Sequence, residues 1–586
     1  MNNWNLKDLY SGFDQKYEND LKGLENLTQD YKKLINQHPQ KEVKEIIEGH
    51  IKTLSKIVPL VMTLSSFASL TSATDVTNAQ ALSYMAKISQ IMSNITAENV
   101  LFSRLIADVE LKTLAKDSKL IQEHLTTLED IQKNAKYLLS EKEEVLYNKL
   151  SQVSSRGWSQ LQNLTTATLN VKFNDQEITF SDLRNLAYDV SADVRKKAYE
   201  LELSSYRAID DFTALALSNI KREVQLMADL RGYQSVLQKT LIQSDMKQES
   251  LDAMISAMMD YAPAFREYLK QKAKFLGHQG SLPFYDLFAP VGKLNKTYTY
   301  KEAQDLTLKA FAGYSQGLVD YTKKAFDNHW IDVEPKKGKR GGAFCANLPQ
   351  LKQSRILLNF EGSLSDIMTL AHELGHGYHG EIISSNLALH WQYSMPLAET
   401  ASIFCEAIVT DNLLKEFTNP EERLSILENG LQGDTQVIID ILSRFFFEQS
   451  VFEKASGPIA KEQMNQMMID AQIKAYGDGL DHNYLHPYMW LVKGHYYSAG
   501  LNFYNFPYAF GLLFAKGLYA QYLKDKTTFI KKYDQLLSLT TKATAEEVAA
   551  SMNIDITKKE FWLDSLAMIK KDIDEVIHLF KTIKGE

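Results

Sequence analysis

The chain is poor in the residues that staple or punctuate a fold. Its two cysteines, Cys345 and Cys405, are far apart in sequence and supply no disulfide framework. Twelve prolines and 27 glycines leave little turn signal, which favours long helices over a many-turned β architecture. Positive charge is not in excess: 65 Lys and Arg against 73 Asp and Glu give −8, which argues against a nucleic-acid partner. No apolar run reads as a membrane span. The 57–70 stretch is short and holds Pro59, and the 494–515 stretch, though free of Asp, Glu, Lys and Arg, carries His495, Asn502, Asn505 and Pro507 among aromatics. That second stretch is expected to be buried or to line a cleft. The first twenty residues contain Asp8, Asp14, Glu18 and Asp20 and no apolar core, so no signal peptide is expected there. The expectation is a soluble, cytoplasmic protein that engages neither membrane nor nucleic acid.

What is present is an ordinary globular balance, 45% hydrophobic and 24% charged, which excludes a disordered chain. Residues 6–168 carry helical patterning, as in Leu24, Leu27, Tyr31 and Leu34. Around 169–180 the pattern alternates about Asn174-Asp175 and predicts a β-hairpin. A second non-helical zone runs from 332 to 360. It holds a basic stretch, Lys336 to Arg340, expected to be a solvated loop, and a short apolar run from Arg355 to Phe360, expected to be a strand. After Gly362 the chain reads mostly helical.

Seven of the 13 histidines fall between His372 and His495, where an even spread would place about three. Within that window lies His372-Glu373-Leu374-Gly375-His376. Residues four apart share a helix face, so His372 and His376 can offer two imidazoles to one metal ion, with Glu373 beside them as a proton acceptor. A helix is announced by Ser363-x-x-Asp366 and by the stripe Ile367, Leu370, Leu374 and Tyr378. A catalytic zinc takes three protein ligands. The longer histidine pattern that would supply the third within this helix is broken, because position 382 is Ile. His379, two turns past His372, is too far along one helix to join the same ion and is expected to support the ligands or face substrate. Glu399 is the better third ligand. Glu406, seven residues later on the same helix face, is expected to steady a ligand imidazole. Asp366 is placed with these supporting groups.

These residues resemble the thimet oligopeptidase and oligoendopeptidase F family of zinc metallopeptidases. The resemblance rests on 372–379 followed by Glu399-Thr-Ala-Ser-Ile-Phe-Cys-Glu406, on Trp4-Asn-Leu-Lys-Asp-Leu-Tyr10, on Gly342 to Cys345, and on His495, Tyr504 and Pro507-Tyr508. It implies a mainly α, elongated two-lobed body with a deep channel and a small β-sheet beside the zinc helix. The lobes would be an N-terminal helical one over 1–195, including the hairpin, and a catalytic one over 196–586. One Zn²⁺ per chain would be held by His372, His376 and Glu399, with Glu373 as general base. Gly342, Ala343, Phe344 and Cys345 would pair with the substrate backbone, and His495, Tyr504 and Tyr508 would lie over the scissile carbonyl. The thimet branch places two tyrosines three residues apart. Here position 507 is Pro, so either a residue is inserted or only one tyrosine is equivalent. The implied activity is internal cleavage of short peptides. A helical zinc carboxypeptidase and a non-catalytic helical peptide-binding protein stay open as alternatives, and the oligomeric state is not specified.

Overall fold

The computed structural model describes residues 3–292 and 296–586. The chain is 71% helical and 4% strand, the mainly α class expected from its scarce turn residues. Near the N-terminus, α1 (Gln15–Asn36) starts where the Asp14 side chain accepts from the N–H groups of Lys16 and Tyr17. Its buried residues Tyr17, Leu21, Leu24, Thr28, Tyr31 and Ile35 alternate at four and three, a single stripe facing inward. That stripe packs on α2 (Val43–Thr74), a 32-residue helix. The 57–70 run, expected to be short, belongs to this longer helix, and α2 has the length and apolarity to cross a membrane. Its Ile46, Ile47, Ile51, Ile57, Leu64 and Leu70 are nonetheless buried in the core shared with α1.

Among the described residues, two hydrophobic cores organise the chain. The smaller draws on Trp4 to Leu128 and adds Leu348 and Leu357 from far along the sequence. The larger runs from Val171 to Phe580. The predicted hairpin forms as β1 (Asn170–Phe173) and β2 (Gln176–Thr179). Asn174 and Asp175 turn it with φ of 48° and 66°, the left-handed pair that a two-residue hairpin loop requires. Val171 joins the larger core. Residue 195, the last of the expected N-terminal lobe, lies inside the helix Ala192–Tyr206. Two long helices then build the body: α3 (Asp210–Leu230) and α4 (Gln248–Leu276).

The two cores meet at a three-stranded sheet. Its order is β3 (Ile331–Asp332), β5 (Gln353–Leu357), β4 (Phe344–Leu348), with β3 parallel and β4 antiparallel to the central β5. Side chains alternate across it. On one side Phe344, Ala346, Leu348 and Leu357 face the smaller core. On the other, Ile356 and Cys345 face the larger. Arg355, on the N-terminal side, is buried and donates to the carbonyl oxygen of Asn5 (2.7 Å) and to Asp8 (2.9 Å), tying the start of the chain to the sheet. The loop 336–340 is solvated as expected at Lys336, Lys337 and Arg340, yet it is pinned at two points. Lys339 is buried against Asp332 at 2.7 Å, and the Arg340 N–H donates to the Ala73 carbonyl at the end of α2. Beside the sheet lies α5 (Leu364–Ile383), followed by α6 (Thr400–Glu416), α7 (Ile441–Glu453), α8 (Phe506–Lys524) and α9 (Lys559–Lys584). A π turn over Gln436–Asp440 leads directly into α7. The 494–515 stretch is not one helix: a tight turn at Gly494–Tyr497 and an irregular segment precede the buried α8.

Candidate metal centre

The motif helix is set by its own first turn. Ser363 accepts from the Asp366 N–H (3.1 Å), and the Asp366 carboxylate accepts from the N–H groups of Ser363 (2.9 Å) and Glu361 (3.0 Å). Asp366 therefore caps α5 and does not support the metal ligands, a correction to its expected place. Its carboxylate is consumed by backbone donors at the head of the helix.

One and a half turns on, His372 and His376 project from the same face. Their Nε2 atoms are 3.1 Å apart, and the Glu399 Oε2 lies 3.3 Å from the first and 3.4 Å from the second. Metal–ligand bonds of about 2.0–2.1 Å place the corners of a tetrahedron about 3.3–3.4 Å apart. The three atoms thus form one face of a tetrahedral site, and their chemistry, two imidazoles and a carboxylate, suits zinc. The Glu406 carboxylate hydrogen-bonds His372 Nδ1, which turns Nε2 toward its companions. Ser402, which sequence reasoning missed, donates to Glu399 Oε2 at 2.8 Å. Burial alone would raise the Glu399 carboxyl, but hydrogen bonds from His372 and His376 hold it well below the usual range. Glu373 is 5% exposed, and burial raises its carboxyl, partly offset by His372 and His376.

Glu399 reaches the histidines because α5 and α6 cross closely. A Cβ at Gly375 would stand 2.6 Å from both the Ala401 carbonyl oxygen and the Ser402 Cα. The glycine inside the histidine motif is thus the crossing point. A second close approach comes from α8, where a Cβ at Gly511 would stand 2.7 Å from the Glu399 Cβ. Tyr508, one turn before Gly511, shares that face, and its hydroxyl is held high by burial, by Tyr504 and by the nearby Glu399. The Tyr504 and Tyr508 hydroxyls are 2.7 Å apart. The His495 ring lies 5.5 Å from the Tyr504 ring, so these three residues form one cluster that reaches the metal site through Tyr508.

The remaining expected residues fall as follows. His379 is fully buried, hydrogen-bonds Thr540 (2.8 Å) and stacks on Tyr393 with centroids 4.4 Å apart, which places it in the packing behind α5 and not against a ligand. β4 is an edge strand, and Gly342 and Ala343 precede it. Asn359 pins that approach by donating to the carbonyl oxygens of Arg340 (3.0 Å) and Gly342 (2.8 Å). The Phe344 ring points away from α5, edge-on to Trp4 at 6.2 Å. Burial, with Glu373 nearby, pushes the Cys345 thiol well up, so it is no thiolate nucleophile.

The segment before α8 is held by polar anchors that the sequence alone did not disclose. Phe503 adopts φ 50°, an uncommon conformation for a bulky residue. Its N–H donates to Glu448 (2.9 Å), and Lys221 bridges Glu448 (2.7 Å) and Asn502 (2.9 Å). This buried set fixes the backbone entering Tyr504 and Asn505.

The chain is also similar to known proteins in sequence and fold. The family model described as Peptidase family M3 matches residues 185–568, and that described as Oligopeptidase F matches 105–170. Oligopeptidase PepF of Bacillus subtilis (strain 168) is 27% identical over 467 residues, 78% of this chain and 69% of that protein. The crystal structure of oligoendopeptidase-F from Enterococcus faecium has the same fold, with a TM-score of 0.73 at 18% identity over 98% of this chain and 99% of that one. A Chlamydophila abortus crystal structure superposes with a TM-score of 0.84 at 21% identity, covering 99% and 98% of the two chains.

Proposed function

Since the chain belongs to peptidase family M3, we propose that it is a zinc-dependent endopeptidase, with one zinc ion per chain, that cuts internal bonds of short oligopeptides. The observation that carries this reading is the triangle of His372, His376 and Glu399 ligand atoms with the buried Glu373 adjoining it. When bound, zinc would supply a Lewis acid that acidifies water and polarises the scissile carbonyl. Glu373 accepts a proton from the attacking water and returns it to the leaving amine. A carboxyl raised by burial suits a group that must both take and give that proton. Glu406 holds His372 in its ligating orientation, and Ser402 steadies Glu399. Among the described residues the outer edge of β4 has no partner strand, and it offers backbone groups to an extended peptide, with Gly342 to Cys345 at its start. Tyr504, Tyr508 and His495 are the candidate donors to charge developing on the carbonyl oxygen.

The test is cleavage of peptides blocked at both ends, followed by mass spectrometry, with and without chelator. Internal cuts abolished by chelation and restored by zinc are expected, and Glu373→Gln should keep its zinc while losing hydrolysis by about two orders of magnitude or more. An active Glu373→Gln enzyme would refute the mechanism. Failure to cut blocked peptides would refute the endopeptidase reading.

A further inference from the structure

His495 sits on the turn Gly494–Tyr497, part-exposed, with one ring nitrogen engaged. Its Nε2 is 2.9 Å from Asn505 Nδ2. The other end of that amide, Asn505 Oδ1, is 3.2 Å from Arg444 Nη1. Arg444 in turn pairs with Asp440, which closes the π turn at the head of α7. The donor and acceptor roles along this chain are not interchangeable. A guanidinium only donates and does not lose its proton in a protein. The Asn505 atom facing Arg444 must therefore be the oxygen, and the atom facing His495 must be the NH₂ group. His495 Nε2 must then accept, so the ring proton resides on Nδ1. Among the described residues, Nδ1 has no hydrogen-bond partner.

We propose that Asp440, Arg444 and Asn505 are positioning residues that fix His495 as the neutral Nδ1-protonated tautomer, so that Nδ1–H is the donor it offers to a bound peptide. A second proton is opposed from every side. Burial holds the imidazole down at about 3, and Arg444 from α7, Lys221 from α3 and Lys493 from its own segment all bring positive charge to it. The other ring neighbours, Tyr496 and Tyr504, bring no cation. The π turn places Asp440 where it can hold Arg444, a use consistent with the frequent occurrence of such turns at functional sites. The Lys221–Glu448 anchor fixes the backbone into Asn505, so the relay is held at both ends.

The tautomer follows from the hydrogen-bond chain alone. Only the use of Nδ1–H toward a substrate rests on the peptidase reading. Long-range ¹H–¹⁵N spectra of ¹⁵N-histidine-labelled full-length protein at pH 7 decide the first point, with the His495 signals identified by their loss in His495→Gln. One NH-type nitrogen at Nδ1 and one lone-pair nitrogen at Nε2 are expected. An Nε2-protonated or doubly protonated ring in the unmutated protein would overturn the proposal, whatever its activity. Asn505→Asp places a proton acceptor opposite Nε2 and should move the ring proton there. With a blocked peptide that the unmutated enzyme cuts, this variant should lose about ten- to a hundredfold in kcat while KM stays within about twofold. A shifted tautomer with unchanged kcat would overturn the positioning role. If the unmutated protein cuts no blocked peptide, the endopeptidase reading fails while the spectrum still decides the tautomer.

Discussion

Replacing Gly511 by Ala adds one methyl group on α8, and the structure says where it lands. The new Cβ would stand 2.7 Å from the Glu399 Cβ and 3.3 Å from its Cγ. Carbon atoms settle at about 3.5–4.0 Å, so one partner must retreat by about 1 Å. The Glu399 Oε2 now sits 3.3 and 3.4 Å from the two histidine nitrogens, and metal sites tolerate about 0.2 Å of error in their bonds. A 1 Å retreat is roughly five times that tolerance. Disturbing even the supports of a ligand weakens metal binding about 10- to 100-fold, and displacing a ligand itself should cost at least as much. Stability should change far less, because two effects oppose. Overpacking costs about 1–3 kcal/mol, while Ala in place of Gly inside a helix returns about 1 kcal/mol. The expected signature of Gly511→Ala is therefore zinc affinity lowered at least about tenfold with metal-free thermal stability lowered by no more than about 2 kcal/mol. Chelator competition measures the first and thermal unfolding of the metal-free protein the second. Gly430, also helical but with nothing within 4 Å of where an added methyl would sit, is the control. Gly430→Ala should gain up to about 1 kcal/mol and leave zinc binding alone. Unchanged zinc affinity in Gly511→Ala would refute the claim that the α8 approach sets the Glu399 position.

Glu406→Gln should weaken zinc binding about 10- to 100-fold in the same competition assay, because His372 loses the carboxylate that orients its ring. Asp366→Ala should cost about 1 kcal/mol of thermal stability through the lost cap while zinc affinity stays within about twofold; a large affinity loss would return Asp366 to the site. Acid should destabilise the metal-free protein. Burial lowers His50 to about 3 and His390 to about 4, with His124 nearby in both cases. Both are neutral in the folded chain, whereas the unfolded chain takes up their protons below about pH 6.5. Their contribution is full above about pH 6.5 and is lost as pH falls toward about 4 for His390 and about 3 for His50. His390→Gln should flatten that limb of the melting-temperature profile, and an unchanged slope would show that His390 does not titrate on unfolding.

The parts of the site legible in the sequence are those fixed by one helix or two neighbouring ones. His372 and His376 are four apart, so helix geometry alone brings their nitrogens together. Glu399 and Glu406, seven apart about the start of α6, both reach the motif: Glu399 lies against Nε2 of both imidazoles, and Glu406 against Nδ1 of His372 alone. His379 shows where angular reasoning stops. Seven residues past His372 it returns to nearly the same angle, but about 10 Å farther along the axis. There it meets Thr540 and Tyr393 instead of the ligands. Asp366 carries a legible signal of a different kind, since three residues after Ser363 its carboxylate is claimed by N–H groups before any site can use it. The hairpin at Asn174-Asp175 was legible for the same local reason.

What the sequence does not disclose is distance between helices. Nothing periodic links Gly511 to Glu399, or Arg444 to Asn505 and through it to His495. Yet these contacts decide whether correctly chosen residues stand at working separations. Gly375 makes the point within the motif itself. It is one of the two positions between Glu373 and His376 that the metal motif leaves free, and any side chain there would strike the backbone of α6 at Ala401 and Ser402. Pushing the helices apart by the width of a methyl group would carry Glu399 out of reach of His372 and His376, both of which it now approaches within 3.4 Å. The motif names the ligands, and the missing side chains at 375 and 511 set the gap that makes them a site. A search that scored only the ligating residues would accept variants at either glycine that the geometry rejects.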